Sequence, residues 1–272
     1  MTATTAQQAR PGTGAGPARS GRGLRHPLTI ARRNLIQVLR TPELLVFSAV
    51  QPIMFVLLFN YVFGGAIQTP GVAYIDFLIP GIVVMTVAFA SFGTGIGLNV
   101  DLSTGMVDRF RSLPITRSAY LTGRILADTV RIMGNVLLLA GVGVLLGLRF
   151  AAGPGPALGG FLLATAFGVA MAWVAALIGL AARSPETVNS VGFIWLLPLT
   201  FASSAFVPVA TMPGWLRAFA EVNPITVNVD ALRALVLGGP TAMPVLQSLA
   251  WIGGITLVFW VLAVRRYRRI AR

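Results

Sequence analysis

The 272-residue chain has no cysteine, which excludes a disulfide framework and any thiolate metal site. It has no lysine either: all 21 basic residues are arginine. A Walker A loop places a lysine on the phosphates, so this chain is not a P-loop ATPase by itself, and Schiff-base chemistry on a lysine is equally excluded. Its one histidine, His26, lies in an arginine-rich N-terminal region, where a lone imidazole beside a membrane reads as an interfacial side chain rather than a ligand or base. Acidic residues number only eight. None form a pair at recognisable catalytic spacing, so catalytic, cofactor-binding and metal-ligand residues are all expected to be absent.

What the chain has in abundance is apolar sequence. Hydrophobic residues make up 56% of it and its mean hydropathy is +0.80. Apolar runs of about 20 residues recur, each long enough to cross a hydrocarbon core of about 30 Å. The net charge of +13 would suit a nucleic-acid binder, but the arginines cluster in segments flanking apolar spans. That is the positive-inside pattern, so the charge is a topology signal and no nucleic-acid partner is expected.

Residues 99–124, NVDLSTGMVDRFRSLPITRSAYLTGR, form a polar island between two long apolar runs. It holds Arg109, Arg111, Arg117 and Arg124, with Asp101 and Asp108. A short loop this basic is retained on the cytoplasmic side. Within it Met106, Phe110 and Leu113 recur at helical spacing, while Asp108, Arg109 and Arg111 fall on other faces. Pro114 then stops the helix, because the residue before a proline is biased away from helical geometry. The pattern predicts a short amphipathic cytosolic helix that serves as a docking surface.

In chain order, residues 1–23 are too poor in bulky apolar groups to order themselves, and no signal-peptide core follows closely enough to predict cleavage. Residues 24–42 contain PLTIARRNLIQVLR, in which Leu28, Ala31, Leu35, Val38 and Leu39 share one helical face. Arg33, Gln37 and Arg40 lie opposite, and Arg32 adds charge. This predicts an interfacial helix beside anionic lipid, or else a merely basic flank of the first span.

Six spans follow, at about 44–63, 75–98, 125–148, 160–182, 188–206 and 245–264. The first contains Pro52, which membrane helices tolerate. The second ends in GTGIGL, where Gly93 and Gly97 have the spacing for close helix approach. In the third, Asp128 and Arg131 lie one turn apart and are spaced to pair, as a structural pair or as part of a pathway. Residues 149–158, rich in Gly and Pro, read as an external turn. Ser184 is a cap for the helix opened by Pro185. Between spans five and six, residues 212–220 predict a short helix carrying Trp215, Leu216 and Phe219. Asn223 then caps a second helix with Pro224 in its first turn, running to Leu237, with Asp230 and Arg233 spaced to pair. Neither is long enough to span, so both should dip into the bilayer or lie on it. The chain closes with a basic cytosolic tail at 265–272. The expected fold is therefore all-α, a six-span domain over 43–264 with both termini cytoplasmic.

Three stretches carry a family resemblance: LLVFSAVQPIMFVLLFNYVFGG at 44–65, GMVDRFRSLP at 105–114, and VPVATMPGWLRAFAEVNPITVNVDALRALVLG at 207–238. Together they resemble the ABC-2 type permeases, the membrane halves of certain ATP-binding-cassette exporters, and within them the daunorubicin/doxorubicin-resistance branch of actinobacteria. The resemblance covers nearly everything after residue 27. Its most specific part lies in Met212, Pro213, Gly214, Trp215, Leu216, Asn223, Pro224, Ile225, Thr226, Ala231, Leu232 and Arg233. It implies a bacterial plasma-membrane subunit that dimerises, binds two copies of a separate ATPase subunit, and leaves ATP and magnesium to that partner. It also implies that Gly105, Met106, Asp108, Arg109, Phe110, Arg111, Leu113 and Pro114 form the ATPase-coupling loop. The N-terminal helix with Arg32, Arg33, Leu35 and Arg40 would add contacts there. The external motif with Trp215, Asn223, Pro224, Asp230 and Arg233 would close the outer end.

The implied cargo is a hydrophobic or amphiphilic drug, with Phe55, Phe59, Met85, Phe89, Asp128, Arg131 and Trp195 as candidate pathway residues. A lipid or polysaccharide precursor is the alternative cargo, since the whole family shares the coupling parts. A proton-driven secondary transporter is a weaker rival, because it usually needs midplane carboxylates and here Glu43, Asp76 and Asp128 sit near span ends.

Overall fold

A computed structural model describes residues 42–67, 69, 71–104 and 117–270, with side-chain surroundings from residue 50 to 104 and from 121 to 270. The expected N-terminal tail, all but the end of the interfacial helix segment (Arg32, Arg33, Leu35 and Arg40 included), and the loop from Gly105 to Pro114 lie outside the described residues. Among those described, every regular element is a helix. We number them α1 Pro42–Leu58, continued by a π-helical turn Phe59–Phe63, then α2 Tyr74–Ala90, α3 Phe92–Ser103, α4 Arg117–Leu145, α5 Pro154–Ala181, α6 Pro185–Phe201, α7 Gly214–Val222, α8 Pro224–Leu237 and α9 Ala242–Ile270.

The bundle is built around α5, which packs against α9, α3, α4, α8 and α2. A helix apolar on all sides belongs in an interior, and α5 is such a helix: Phe167, Ala170, Ala172, Ala175 and Ala176 are fully buried. Apolar lipid gives apolar helices no hydrophobic reason to associate, so small residues that permit close packing carry the contact. Gly179 on α5 meets Gly95 on α3 backbone to backbone, and a Cβ added to either would collide with a main-chain carbonyl of the other helix. Asn99 fastens the same crossing by donating from Nδ2 to the carbonyls of Gly179 (3.0 Å) and Ala182 (2.9 Å). These groups lie at the C-terminal end of α5, where carbonyls lack intrahelical partners. Arg266 Nε of α9 donates to a third, on Leu180, at 3.2 Å.

Among the described residues, four helical stretches are long and apolar enough to cross a membrane: Tyr74–Ser103, Leu121–Leu145, Pro154–Ala181 and Ala242–Ile270. The other two expected spans, 44–63 and 188–206, correspond to α1 with its π turn, 17 and 5 residues, and to α6, 17 residues.

Several boundaries differ from the sequence reading. The stretch 149–158 is only partly a turn, because α5 already starts at Pro154. Pro154 and Pro156 fit its first turn, where no N–H is required, after Gly153 turns the chain at φ 91°. The fifth span stops at Phe201 rather than 206. Beyond Pro198 the chain leaves the helix as Ser203 Oγ donates to the carbonyl of Thr200 at 2.5 Å and accepts from the N–H of Ala205 at 3.2 Å, local bonds that compete with the helical ladder. The basic tail at 265–272 is helical through Ile270, held by the Arg266 bond and by Tyr267, which is 5% exposed. The capping residues fall where the sequence placed them. Ser184 Oγ accepts from the N–H of Thr187 at 3.3 Å, and Asn223 Oδ1 from that of Ile225 at 2.9 Å, with Pro185 and Pro224 opening their helices.

Candidate functional site

A cavity of about 240 Å³ lies among α1, α2, α3, α4 and α6. Its walls carry the rings of Phe55, Phe89, Phe92, Phe193 and Phe201 together with Met85. Gln51, Thr86, Arg131, Asn135 and Asn189 supply its polar groups. The aromatic wall is continuous: Phe89 lies 5.3 Å from Phe193 and 6.4 Å from Phe92, centroid to centroid. Of the pathway residues expected from sequence, Phe55, Met85, Phe89 and Arg131 line this cavity and three do not. Phe59 stacks on Phe206 at 4.5 Å, Trp195 meets the edge of Phe92 at 6.1 Å, and Asp128 pairs with Arg131 at 3.3 Å. Thr86 and Asn135 were missed, although a signal existed: Asn135 lies four residues after Arg131 and so shares its helical face.

The cavity adjoins a break in the second span. Between α2 and α3 the helix is interrupted at Ser91, whose Oγ donates to the carbonyl of Ala88 at 2.6 Å. Arg131 of α4 donates to the carbonyl of Ala90 at 2.9 Å, and the N–H of Thr94 turns to Ser91 at 3.0 Å. The regular i to i−4 bond from Thr94 to Ala90 is thereby replaced by one from a neighbouring helix, an identifiable cause of a kink. Gly93 makes room for this arginine, since a Cβ there would stand 2.7 Å from Arg131 Nη2. Gly97 does the same for Arg124, which forms an ion pair with Asp101 across the α3–α4 contact. The two glycines read from sequence as a helix-packing pair thus accommodate guanidinium groups, and the backbone contact belongs to Gly95 between them.

At the opposite end of α2 a second polar cluster ties three segments together. Arg233 of α8 lies over the ring of Phe77, its guanidinium carbon 3.5 Å from the centroid. It donates to the Phe77 carbonyl from Nε (3.0 Å) and Nη2 (2.9 Å), to the Ser204 carbonyl (2.6 Å), and to Asp230 Oδ1 (3.1 Å). Ser204 Oγ donates to the same Asp230 oxygen at 2.9 Å. Asn223 Nδ2 donates to the carbonyls of Leu199 and Ala202, at 2.7 and 2.9 Å, anchoring α8 to the end of α6. Of the external residues expected from sequence, Asp230 meets Arg233, Asn223 and Pro224 open the same helix at the end of α6, and Trp215 is 76% exposed on α7.

A bundle of apolar helices, several of them long and apolar enough to cross a membrane, around an aromatic and polar cavity fits a membrane-embedded protein. Residues 27–237 match the family model of the ABC-2 type transporter, and the chain belongs to that family. It is 35% identical over 241 residues to a daunorubicin resistance ABC transporter permease protein, DrrB1, of Streptomyces coeruleorubidus, covering 89% of this chain and 85% of that one. It is 30% identical over 223 residues to a probable doxorubicin resistance ABC transporter permease protein, DrrC, of Mycobacterium tuberculosis, covering 82% and 80%. A putative transport permease, ycf38, of Cyanophora paradoxa is 27% identical over 210 residues, 76% of this chain and 72% of that one. The chain is an ABC-2 permease, homologous to permease subunits of drug-resistance transporters, and membership of the family implies a separate ATPase subunit.

Proposed function

We propose that this chain is the six-span permease subunit of a drug exporter, working as a homodimer with two copies of a separate ATPase that binds ATP and magnesium. The observation that carries the reading is the cavity of about 240 Å³, whose aromatic wall and few polar groups suit the ring system of a hydrophobic or amphiphilic compound. The names of the relatives, daunorubicin and doxorubicin resistance permeases, support the same class of cargo. The arginine distribution supports a bacterial plasma-membrane protein with both termini cytoplasmic. That α7 exposes Trp215 and Phe219 while α8 is buried against α5 and α9 supports external helices that lie on or dip into the bilayer.

The mechanism follows from how α3 and α4 are joined. The loop with Met106, Phe110 and Leu113 connects them directly and is the part seated on the ATPase. The Arg124–Asp101 pair ties α3 to α4 as one unit, and the Arg131 bond to Ala90 latches that unit to the end of α2. Closure of the ATPase dimer pushes this unit, and the chain yields at Ser91, beside the cavity wall. The cavity thereby switches between two arrangements, as bistable packed elements do. The test is doxorubicin accumulation in a drug-sensitive host. Expression of the chain with its ATPase lowers it, and expression of either subunit alone does not. Equal accumulation in all three strains would refute drug export.

A further inference from the structure

The cavity has a polar corner whose chemistry is selective. Thr86 on α2 and Arg131 and Asn135 on α4 meet there, with Thr86 6% and Asn135 8% exposed. Three helical threonines bond back to their own helix: Thr129 Oγ1 donates to Ile125, Thr165 to Phe161 and Thr200 to Leu196, each at 2.8 Å, whereas Thr94, away from the cavity wall, is buried without a partner. Thr86 makes no such bond either. Its Oγ1 is buried without a hydrogen-bond partner, and a hydroxyl left so carries a free-energy penalty that a ligand atom would relieve. Arg131 only donates, and its five N–H groups exceed what the Ala90 carbonyl and Asp128 accept. No lining residue is acidic, and Asp128 pairs with Arg131 without reaching the wall.

We propose that Thr86, Asn135 and Arg131 form a subsite for the hydrogen-bond-accepting edge of a planar aromatic ligand, such as the carbonyl and hydroxyl edge of a fused-ring quinone, with the ring system against Phe55, Phe89 and Phe193. The inference rests on the reading of the cavity as part of the transport pathway. At about 240 Å³ the space falls below the range of about 300–1,000 Å³ for drug-sized sites, so it admits the ring system and not a whole amphiphile. A cationic group on the same ligand has to lie away from Arg131, because the corner has no carboxylate to meet it.

The test compares two three-ring compounds, neutral 1,8-dihydroxyanthraquinone and cationic 9-aminoacridine. They are titrated against the full chain with its ATPase in nanodiscs, without nucleotide, and binding is followed by tryptophan quenching. Trp195, edge-on to the cavity-lining Phe92, places a reporter beside the site. The quinone is expected to bind about 10-fold more tightly or better, the value of hydrogen bonds to a charged donor. T86V and N135L are each expected to weaken the quinone by about 3- to 10-fold, shrinking the preference. T86V removes a hydroxyl that makes no bond in the fold and keeps the side-chain shape, so an unchanged melting temperature verifies folding even where N135L misfolds. Equal or tighter binding of the acridine, or quinone affinity unaffected by T86V, would overturn the proposal. If neither ring binds while doxorubicin export persists, the subsite is wrong and the exporter reading stands. Selective quinone binding without any export would support the subsite and sink the exporter reading instead.

Discussion

Arg233 and Asp230 form an ion pair at 3.1 Å, yet the surroundings predict that the arginine matters far more than the pair. The Arg233 side chain is 12% exposed and that of Asp230 is 47% exposed. An ion pair with one half-exposed partner contributes about 0–1 kcal/mol. The bonds from the guanidinium to the Phe77 and Ser204 carbonyls are charge-assisted and shielded, each worth about 1.5–3 kcal/mol. Its position over Phe77 adds about 0.5–2 kcal/mol. Arg233→Met, which keeps the apolar stem and removes every donor, should therefore cost about 4 kcal/mol, and Asp230→Asn less than about 1 kcal/mol. At roughly 2–4 °C per kcal/mol for a chain of this size, the melting temperature should fall by about 8–16 °C in the first case and by less than about 4 °C in the second. Thermal unfolding in detergent, followed by size exclusion, measures both. Equal losses in the two variants would show that the ion pair, not the carbonyl bonds, carries the stabilisation by Arg233, and the reasoning would fail.

Phe110→Ala should weaken co-purification of the ATPase, since one aromatic anchor at an interface is worth about 2 kcal/mol or more, while membrane insertion is kept; unchanged association together with unchanged export would refute the docking role. Gly179→Val forces side-chain atoms into the backbone of α3 at Gly95, where overpacking costs about 1–3 kcal/mol, and should lower yield and melting temperature. Gly155→Val, at a position with open space around it, serves as the control and should cost less than half as much; equal losses would remove the significance of the α3–α5 crossing.

Local rules made part of this fold legible. Asn223-Pro224 and Ser184-Pro185 were readable as helix starts because a cap needs only its own side chain and the next turn. The Asp128–Arg131 and Asp230–Arg233 pairs were readable because their spacing lies within one helix. The break at Ser91 was not, since it depends on Arg131 reaching the Ala90 carbonyl, 41 positions away in sequence. Gly93 and Gly97 fitted a helix-packing rule, but what occupies the space above them is decided by the long arginines of α4. The run RRYRR was readable only as a basic tail, and its helical state comes from Tyr267 and Arg266 finding places against the bundle. For the cavity, the aromatic candidates were half identified, with Phe55 and Phe89 on the wall and Phe59 and Trp195 packed outside it. Periodicity orders residues around one helix and does not reveal which faces of α1, α2, α4 and α6 converge.

The central claim is that a partner ATPase drives this permease through the loop between α3 and α4. ATP-dependent uptake of doxorubicin into inverted vesicles tests it most directly, with the chain expressed with its ATPase, without it, and with residues 105–113 deleted. The account predicts uptake only with both subunits and an intact loop, insensitive to discharge of the proton gradient. Uptake by the chain alone, collapsing when that gradient is discharged, would contradict it and make the protein a secondary transporter.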